Sequence, residues 1–480
     1  MNKDKENAKL MQPAGQGEGL TGSLFNEEVP VWYDGKGKVC PKWTSRCEEE
    51  KEQTMNLLEE ISSLSNLTKA YKQVKGNGGS AGVDGIDIKE FGLWFKQNHI
   101  KLRESLINGH YQPSLVRGVE IPKPNGGKRQ LGIPTVLDRV VQQAISQVMV
   151  RYYETTFTQS SHGFRPKRGA ASALKEAQGY VKSGKTRIVD IDLAKFFDEV
   201  NHSRLMWLLS LRMGDKRLLD VMRKILRSGI LIGGVENQRI KGTPQGSPLS
   251  PLLSNIVLDE LDQELERRGL SYVRYADDLL IFVRSEKSAE RVYEGIRHYI
   301  TKRMRLKVNA SKSGLRKVHE VTFLGHGLGY GGKLRLSKSS EVRLKSKLKT
   351  ITSRKRGISL EQLIREVNNL LRGWLNYFKG SEMKSKIVAI NSWLKRRIRC
   401  FRIKQCKRTI GIVRFLKSLG VQEKLSWRTA LSGKGWWRIS NSPGTNIGMN
   451  NKWFEKIGYY DLVVNYTNLF EIHLKKPPYT

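Results

Sequence analysis

Cysteine is scarce in this sequence, with four residues in 480: Cys40, Cys47, Cys400 and Cys406. Four thiols cannot staple a chain of this size. Their C-x6-C and C-x5-C spacings miss the common zinc patterns. A disulfide scaffold is thereby excluded, and plain thiols in a reducing compartment are expected. Acids are also short, 46 Asp+Glu against 85 Lys+Arg, for a formal charge of +39. Such an excess rules out an ordinary metabolic enzyme, because it attracts polyanions, nucleic acid first and an anionic membrane surface second. No apolar run is long enough to span a bilayer. The first thirty residues mix Lys, Glu, Gly and Gln without an apolar stretch, so no secretory leader is expected there. No internal repeat is present.

What the chain does have is sorted along its length. Residues 1–46 are Gly-, Lys- and Glu-rich and read as a mobile tail. Helical spacing begins with Met55, Leu57, Leu58, Ile61 and Leu64, and a second helix stops at Gly76-Asn77-Gly78-Gly79. Residues 80–335 mix helical stretches (138–153, 170–182, 202–212, 215–228, 249–268, 286–303) with β-rich runs at 187–191, 271–275, 279–283 and 321–324. The two do not alternate strictly, which favours an α+β fold with an antiparallel sheet. From 331 to 410 there are 23 Lys/Arg and 4 acids, on apolar residues at helical spacing, so a basic helical module follows.

Two acid clusters stand out. Tyr272–Arg284 reads as two β-rich arms around Ala276-Asp277-Asp278, a hairpin with adjacent carboxylates at its turn. Adjacent carboxylates repel, and Mg²⁺ supplies the counter-charge and prefers oxygen ligands. A polar turn rich in Asp is the plainer explanation. Asp190 and Asp192 share one strand face, and Asp192 ends the strand, where it is free to meet the hairpin pair. Asp190 reads as an ordinary strand-end acid, and Asp198 as a residue that caps or pairs within the next helix. Spacing alone leaves two-metal phosphoryl transfer and a nuclease-type metal site equally open.

Gly242-Thr-Pro-Gln-Gly-Ser-Pro-Leu-Ser250 leads into an apolar helix. Gly246 permits close backbone approach and Gln245 can bond a base or sugar edge, while Ser247 or Ser250 could simply cap the helix. Ile121–Arg129 resembles a tight basic hairpin carrying Lys123, Lys128 and Arg129, able to clamp a triphosphate or to stay solvated.

Taken together, residues 56–440 resemble a group II intron-encoded reverse transcriptase/maturase. The resemblance rests on Tyr275-Ala-Asp-Asp278, Phe196-Phe-Asp198 and the run Thr243 to Asn255. It rests also on Arg129–Pro134 with Asp138-Arg139, Ser161–Pro166, Gly82–Gly85, Leu306–Lys312, Phe323-Leu-Gly325, Arg372–Phe378 and Trp393–Arg397. It implies an α+β right-hand polymerase, with fingers and an antiparallel palm sheet, followed by an α-helical thumb/maturase domain. It implies a metal-binding triad of Asp192, Asp277 and Asp278, taking two Mg²⁺ ions. Phe197 would be the aromatic gate beneath the sugar, Gln245 and Gly246 would line the nascent base pair, and Lys123 and Arg129 would meet the triphosphate. The expected partners are dNTPs, an RNA template with a DNA primer or target, and the chain's own group II intron RNA. A monomer or homodimer in the bacterial cytoplasm or on the nucleoid, without membrane attachment, completes the expectation.

The expected division is a tail at 1–46, an N-terminal extension at 47–110, fingers and palm at 111–335, thumb and maturase region at 336–440, and a C-terminal tail at 441–480. Many relatives end in an H-N-H endonuclease rich in His and Cys. Here His473 alone follows His326 and no Cys follows Cys406, so none is expected. A non-catalytic RNA-binding splicing cofactor and a domesticated reverse transcriptase used in repair or defence are the rival readings. The intact acid triad speaks against the first.

Overall fold

A computed structural model describes residues 54–475 apart from 123–125 and 127, so the expected tail at 1–46 and Lys123 lie outside the described residues. Eleven named strands form three sheets among the described residues. The palm sheet has the order β6-β7-β3-β8, from β3 (Arg187–Asp192), β6 (Ser271–Tyr275), β7 (Asp278–Val283) and β8 (Gly314–Lys317). All its pairings are antiparallel, as expected.

This sheet is covered on both faces, which explains its sequence. In β7, Leu279, Ile281 and Val283 enter one core while Leu280 and Phe282 enter another. In β3, Val189 and Ile191 take the first face and Ile188 the second. A strand buried on both sides reads as a continuous apolar run, and each large side chain so removed from water contributes roughly 1.5–3 kcal/mol. A polar residue inside such a strand needs a partner, as Asp190 has in Arg316 and Arg274 in Asp262, whereas a strand end leaves a carboxylate free to face solvent or an ion. That is where Asp192 and Asp278 sit.

The fingers sheet joins β1 (Val116–Pro122) and β2 (Lys128–Ile133) as an antiparallel hairpin, with β4 (Ile230–Ile232) parallel to β1 and β5 (Val235–Asn237) beyond it. A small third sheet contains β9 (Thr322–Phe323), β10 (His326–Leu328) and β11 (Leu334–Leu336). The β-rich run at 321–324 therefore supplies a two-residue strand of this separate sheet. Its Phe323 packs with Leu328 and Leu334 under the helix Ala170–Lys182.

The helices Leu64–Asn77 and Ile88–Ile107 share one core with Val136–Glu154 and Ser250–Arg267. Asp87 opens the second of them with a capping box, accepting from the Lys89 and Glu90 amides while Glu90 accepts from its own. A second core holds Lys338–Ile351, Leu360–Phe378 and Lys384–Gln405. The expected tail at 441–480 is corrected here. Residues Pro443–Gly448, Asn451–Lys456 and Leu462–Lys475 are helices, and Met449, Trp453, Phe454, Tyr459, Leu462 and Tyr466 are buried in the second core. The aromatic residues Trp453, Phe454, Tyr459 and Tyr466 form the apolar face of that packing.

Candidate active site

Antiparallel register sets Asp192 directly opposite Asp278, and Asp278 opposite Tyr275 in the hairpin. Directly opposed residues share a sheet face with Cβ atoms about 4.5–5.5 Å apart. Asp190, two residues back along β3, lies on that same face. The turn between the arms is Ala276-Asp277, with Ala276 left-handed at φ 57°. A residue with a Cβ adopts that conformation at a cost of roughly 1–2 kcal/mol, so the surroundings must hold it.

Asp192 is cradled by a segment more than a hundred residues away. Asn309 Nδ2 donates to its Oδ2 at 2.9 Å and Lys312 Nζ lies 3.4 Å from its Oδ1. Ser313 Oγ accepts from its amide at 2.9 Å, and the Asn309 amide donates to its carbonyl at 2.8 Å. Asp190 is answered differently, by Arg316 Nε at 2.9 Å, with burial raising its pKa against that pairing. Asp278 has Lys312 as its nearby cation. Desolvation, then the carboxylates of Asp277, Asp192 and Asp190, push its carboxyl up to about 6. Asp198 caps neither neighbouring helix: it lies in the first turn of Phe196–Glu199, whose N-cap is Lys195, and Asn201 caps His202–Ser210, accepting from the Arg204 amide at 2.9 Å.

Among the described residues, no three His, Cys, Asp or Glu side chains form a ready-made metal cage. The donor set nevertheless suits a hard divalent cation: all oxygen, three carboxylates on neighbouring strand ends, and an excess of negative charge that a single lysine does not cancel.

The other expected residues that are described are tied to one another through the Thr243–Gly246 loop. Phe197 is half-buried on the short helix Phe196–Glu199, edge-on to Phe196 at 5.5 Å. Its carbonyl accepts from the Thr243 amide at 2.7 Å, so the Thr243–Gly246 loop is docked to it. That loop also reaches the fingers. The Gln245 carbonyl accepts from the Gly132 amide at 2.9 Å, and a Cβ on Gly246 would stand 2.7 Å from the Gly132 carbonyl oxygen. The close approach that Gly246 permits, at φ 120°, is to the backbone of β2. Ser247 Oγ accepts from the Leu249 amide at 3.2 Å within the loop, but Leu249 itself is the N-cap of the helix Ser250–Arg267 and no side chain caps it, so the capping expectation for Ser247 or Ser250 is corrected.

Sequence reasoning did not assign roles to Asn309, Lys312, Ser313 or Arg316, nor to the buried Arg274–Asp262 pair behind the hairpin, joined at 2.7 Å from Nε to Oδ1. Three arginines of the basic module are also placed unexpectedly. Arg396 stacks on Trp437 at 4.1 Å and donates to its carbonyl. Arg397 donates to Thr352 Oγ1 at 2.6 Å, and Arg399 to the Met449 carbonyl at 2.9 Å. Burial holds the pKa values of Arg397 and Arg399 below the ordinary arginine range.

An antiparallel palm sheet ending in carboxylates, beneath a basic finger hairpin and beside a helical thumb, defines a right-hand nucleic-acid polymerase. Residues 121–328 match the family model for reverse transcriptase (RNA-dependent DNA polymerase), and residues 342–417 match the group II intron, maturase-specific domain. The chain belongs to the group II intron reverse transcriptase/maturase family, whose polymerases are RNA-directed DNA polymerases using divalent metal ions. It is 34% identical over 266 residues to Protein YkfC of Escherichia coli (strain K12), spanning 47% of this chain and 70% of that one. It is 39% identical over 164 residues to the group II intron-encoded protein LtrA of Lactococcus lactis subsp. cremoris, spanning 34% of this chain and 27% of LtrA. A solved telomerase from Candida albicans, in complex with a telomeric RNA fragment, superposes with a TM-score of 0.39 at 13% identity, over 69% of this chain and 70% of that one. Among the described residues no helix is long and apolar enough to cross a membrane.

Proposed function

We propose that this chain copies RNA into DNA at Asp192, Asp277 and Asp278, and that it binds the group II intron RNA that encodes it, assists its splicing and reverse-transcribes it during intron mobility. The observation that carries the reading is the cross-strand register of Asp192 with Asp278 beside the Asp277 turn. A pair of Mg²⁺ ions held by these carboxylates would activate a primer 3′-hydroxyl and stabilise the leaving pyrophosphate. Lys312 offsets the acid cluster, and Asn309 and Ser313 hold Asp192 in line. Arg129 and Lys123 would meet the triphosphate, and Gln245 and Gly246 the nascent pair. Phe197 would close the space of a 2′-hydroxyl. Splicing support needs only binding, which stabilises the folded RNA by mass action. A net charge of +39 suits an RNA partner in the cytoplasm or on the nucleoid.

Primer extension on an RNA template tests this. Asp277→Ala should lose roughly a thousand-fold or more in rate, several kcal/mol of transition-state stabilisation, while Asp190→Ala should be milder. Near-normal extension by Asp277→Ala would remove the site assignment. Asp277→Ala/Asp278→Ala should still promote intron excision at low Mg²⁺; loss of excision with normal RNA binding would show that the two activities share a site.

A further inference from the structure

We propose that Arg274 is the positioning residue of the catalytic hairpin: its buried guanidinium fixes the left-handed turn at Ala276, and so sets where Asp277 offers its carboxylate to a divalent ion. This rests on the reading of Asp277 as a metal ligand.

Arg274 is 1% exposed, and its partner Asp262 is fully buried. An arginine guanidinium has five N–H donors in a rigid plane. All five are used here. Nε donates to Asp262 Oδ1 at 2.7 Å. Nη1 donates to Asn255 Oδ1 at 3.0 Å and to the Ala276 carbonyl at 2.9 Å. Nη2 donates to Ser161 Oγ at 2.7 Å and to Asp262 Oδ2 at 2.5 Å. Arg274 thereby ties the carbonyl just before Asp277 to a side chain on the long palm helix and to the Ser161 loop.

The same loop closes the turn from the other side. The Arg274 amide donates to the Ser160 carbonyl, and the His162 amide to the Arg274 carbonyl, both at 2.9 Å. Asn255 Nδ2 donates to the Gly163 carbonyl at 2.9 Å. A Cβ on Gly163 would stand 2.3 Å from the Ala276 amide nitrogen. The turn is therefore clamped between a glycine that permits contact and an arginine that holds its carbonyl. A buried ion pair is weak evidence for stability, since a well-packed apolar pair of similar volume is often as stable. What an apolar pair could not do is hold the Ala276 carbonyl. Lysine would keep the charge but lose the planar fork.

The test compares full-length wild type, Arg274→Lys and Ser161→Ala, with Asp277→Ala as reference. Mn²⁺ is titrated into each protein bound to RNA template, dideoxy-terminated primer and dNTP, and bound metal is counted by electron paramagnetic resonance without any turnover. In parallel, Mg²⁺ dependence of extension is measured on undamaged primer. Arg274→Lys should raise the metal concentration for half-saturation about tenfold in both measurements, with template affinity unchanged. Ser161→Ala removes one acceptor and leaves the ion pair, and should shift it in the same direction by a few-fold. A simple folding role would instead lower the fraction of active enzyme and leave both metal midpoints unmoved, which would overturn the proposal. Should Arg274→Lys fail to fold, an unshifted midpoint in Ser161→Ala has the same force. If Asp277→Ala itself binds metal and extends normally, the site reading has failed rather than the positioning role.

Discussion

Arg129 Nε donates to Gln245 Oε1 at 2.5 Å, joining a finger strand to the loop ahead of the long palm helix by one side-chain bond. Both residues are expected to face the incoming nucleotide, and the bond makes them one unit. Arg129→Ala and Gln245→Ala should each raise the dNTP KM, by roughly ten-fold for a lost charged or paired contact of ~1.5 kcal/mol. Because they share a partner, the double variant should fall short of the product of the singles. Steady-state dNTP titrations on all three decide it. Strict additivity would mean that the two side chains act separately.

Phe197 is half-buried, and its backbone carries the Thr243 loop. Its ring would exclude a ribose hydroxyl by contact rather than by attraction, and exclusion of that kind discriminates strongly. Phe197→Val should raise the ratio of ribonucleotide to deoxyribonucleotide incorporation by an order of magnitude or more. An unchanged ratio, read from single-nucleotide extension, would leave Phe197 as packing against Phe196.

The hairpin acids are readable in the sequence because they obey local rules: two apolar arms, a polar turn, period two along β3. The Thr243–Asn255 loop and helix are equally local. What spacing does not carry is the partner at long range. Asn309 and Lys312 meet Asp192 from 117 and 120 residues away, and nothing in the run Leu306–Lys312 states which carboxylate it serves. The same limit produced the tail at 441–480. Alternation of Trp, Gly and Tyr in short helices gives little periodicity, and their burial comes from a surface supplied by the thumb. Arg274 carries no local signal either, since its partners Asp262, Asn255 and Ser161 lie on other elements.

Asp259 offers a pH signature separate from the proposed metal-binding acids. It is 8% exposed on the helix Ser250–Arg267, and burial, then the Asp262 charge, raise its carboxyl to about 7 against the pull of Arg212 and Arg274. A carboxyl whose folded pKa is raised holds its proton longer in the folded state. The folded protein then binds more protons than the unfolded chain between about pH 4 and 7, so this residue lowers stability as pH rises through that window. Asp259→Asn should match the wild type near pH 4 and exceed it by about 2–4 kcal/mol at pH 8. Thermal unfolding across that range is the measurement. A difference that stays flat with pH would show that Asp259 is ionised when folded.

Arg396, Arg397 and Arg399 separate two explanations of a basic helix. The first is phosphate binding, for which neutralisation weakens RNA affinity and flattens its salt dependence by about one log–log unit or less per contact. The second follows from the contacts. Arg397 ties the helix Lys384–Gln405 to the end of Lys338–Ile351, while Arg396 and Arg399 tie it to the segments around Trp437 and Met449. Each loses a hydrogen bond of about 0.5–1.5 kcal/mol when replaced by Gln. Arg396 and Arg399 also lose stacking on Trp437 and Phe454, of about 0.5–1 kcal/mol. The triple variant should thus melt roughly 5–10 °C lower. Its RNA salt slope, measured at a temperature where it stays folded, should change little. Arg343 and Lys347 make the contrast, being exposed and one turn apart on the helix Lys338–Ile351. Arg343→Gln/Lys347→Gln should leave melting nearly unchanged and lower the slope. Melting curves and salt titrations on both variants decide between the explanations. A triple variant that melts normally yet loses slope would assign these three arginines to the RNA-binding face.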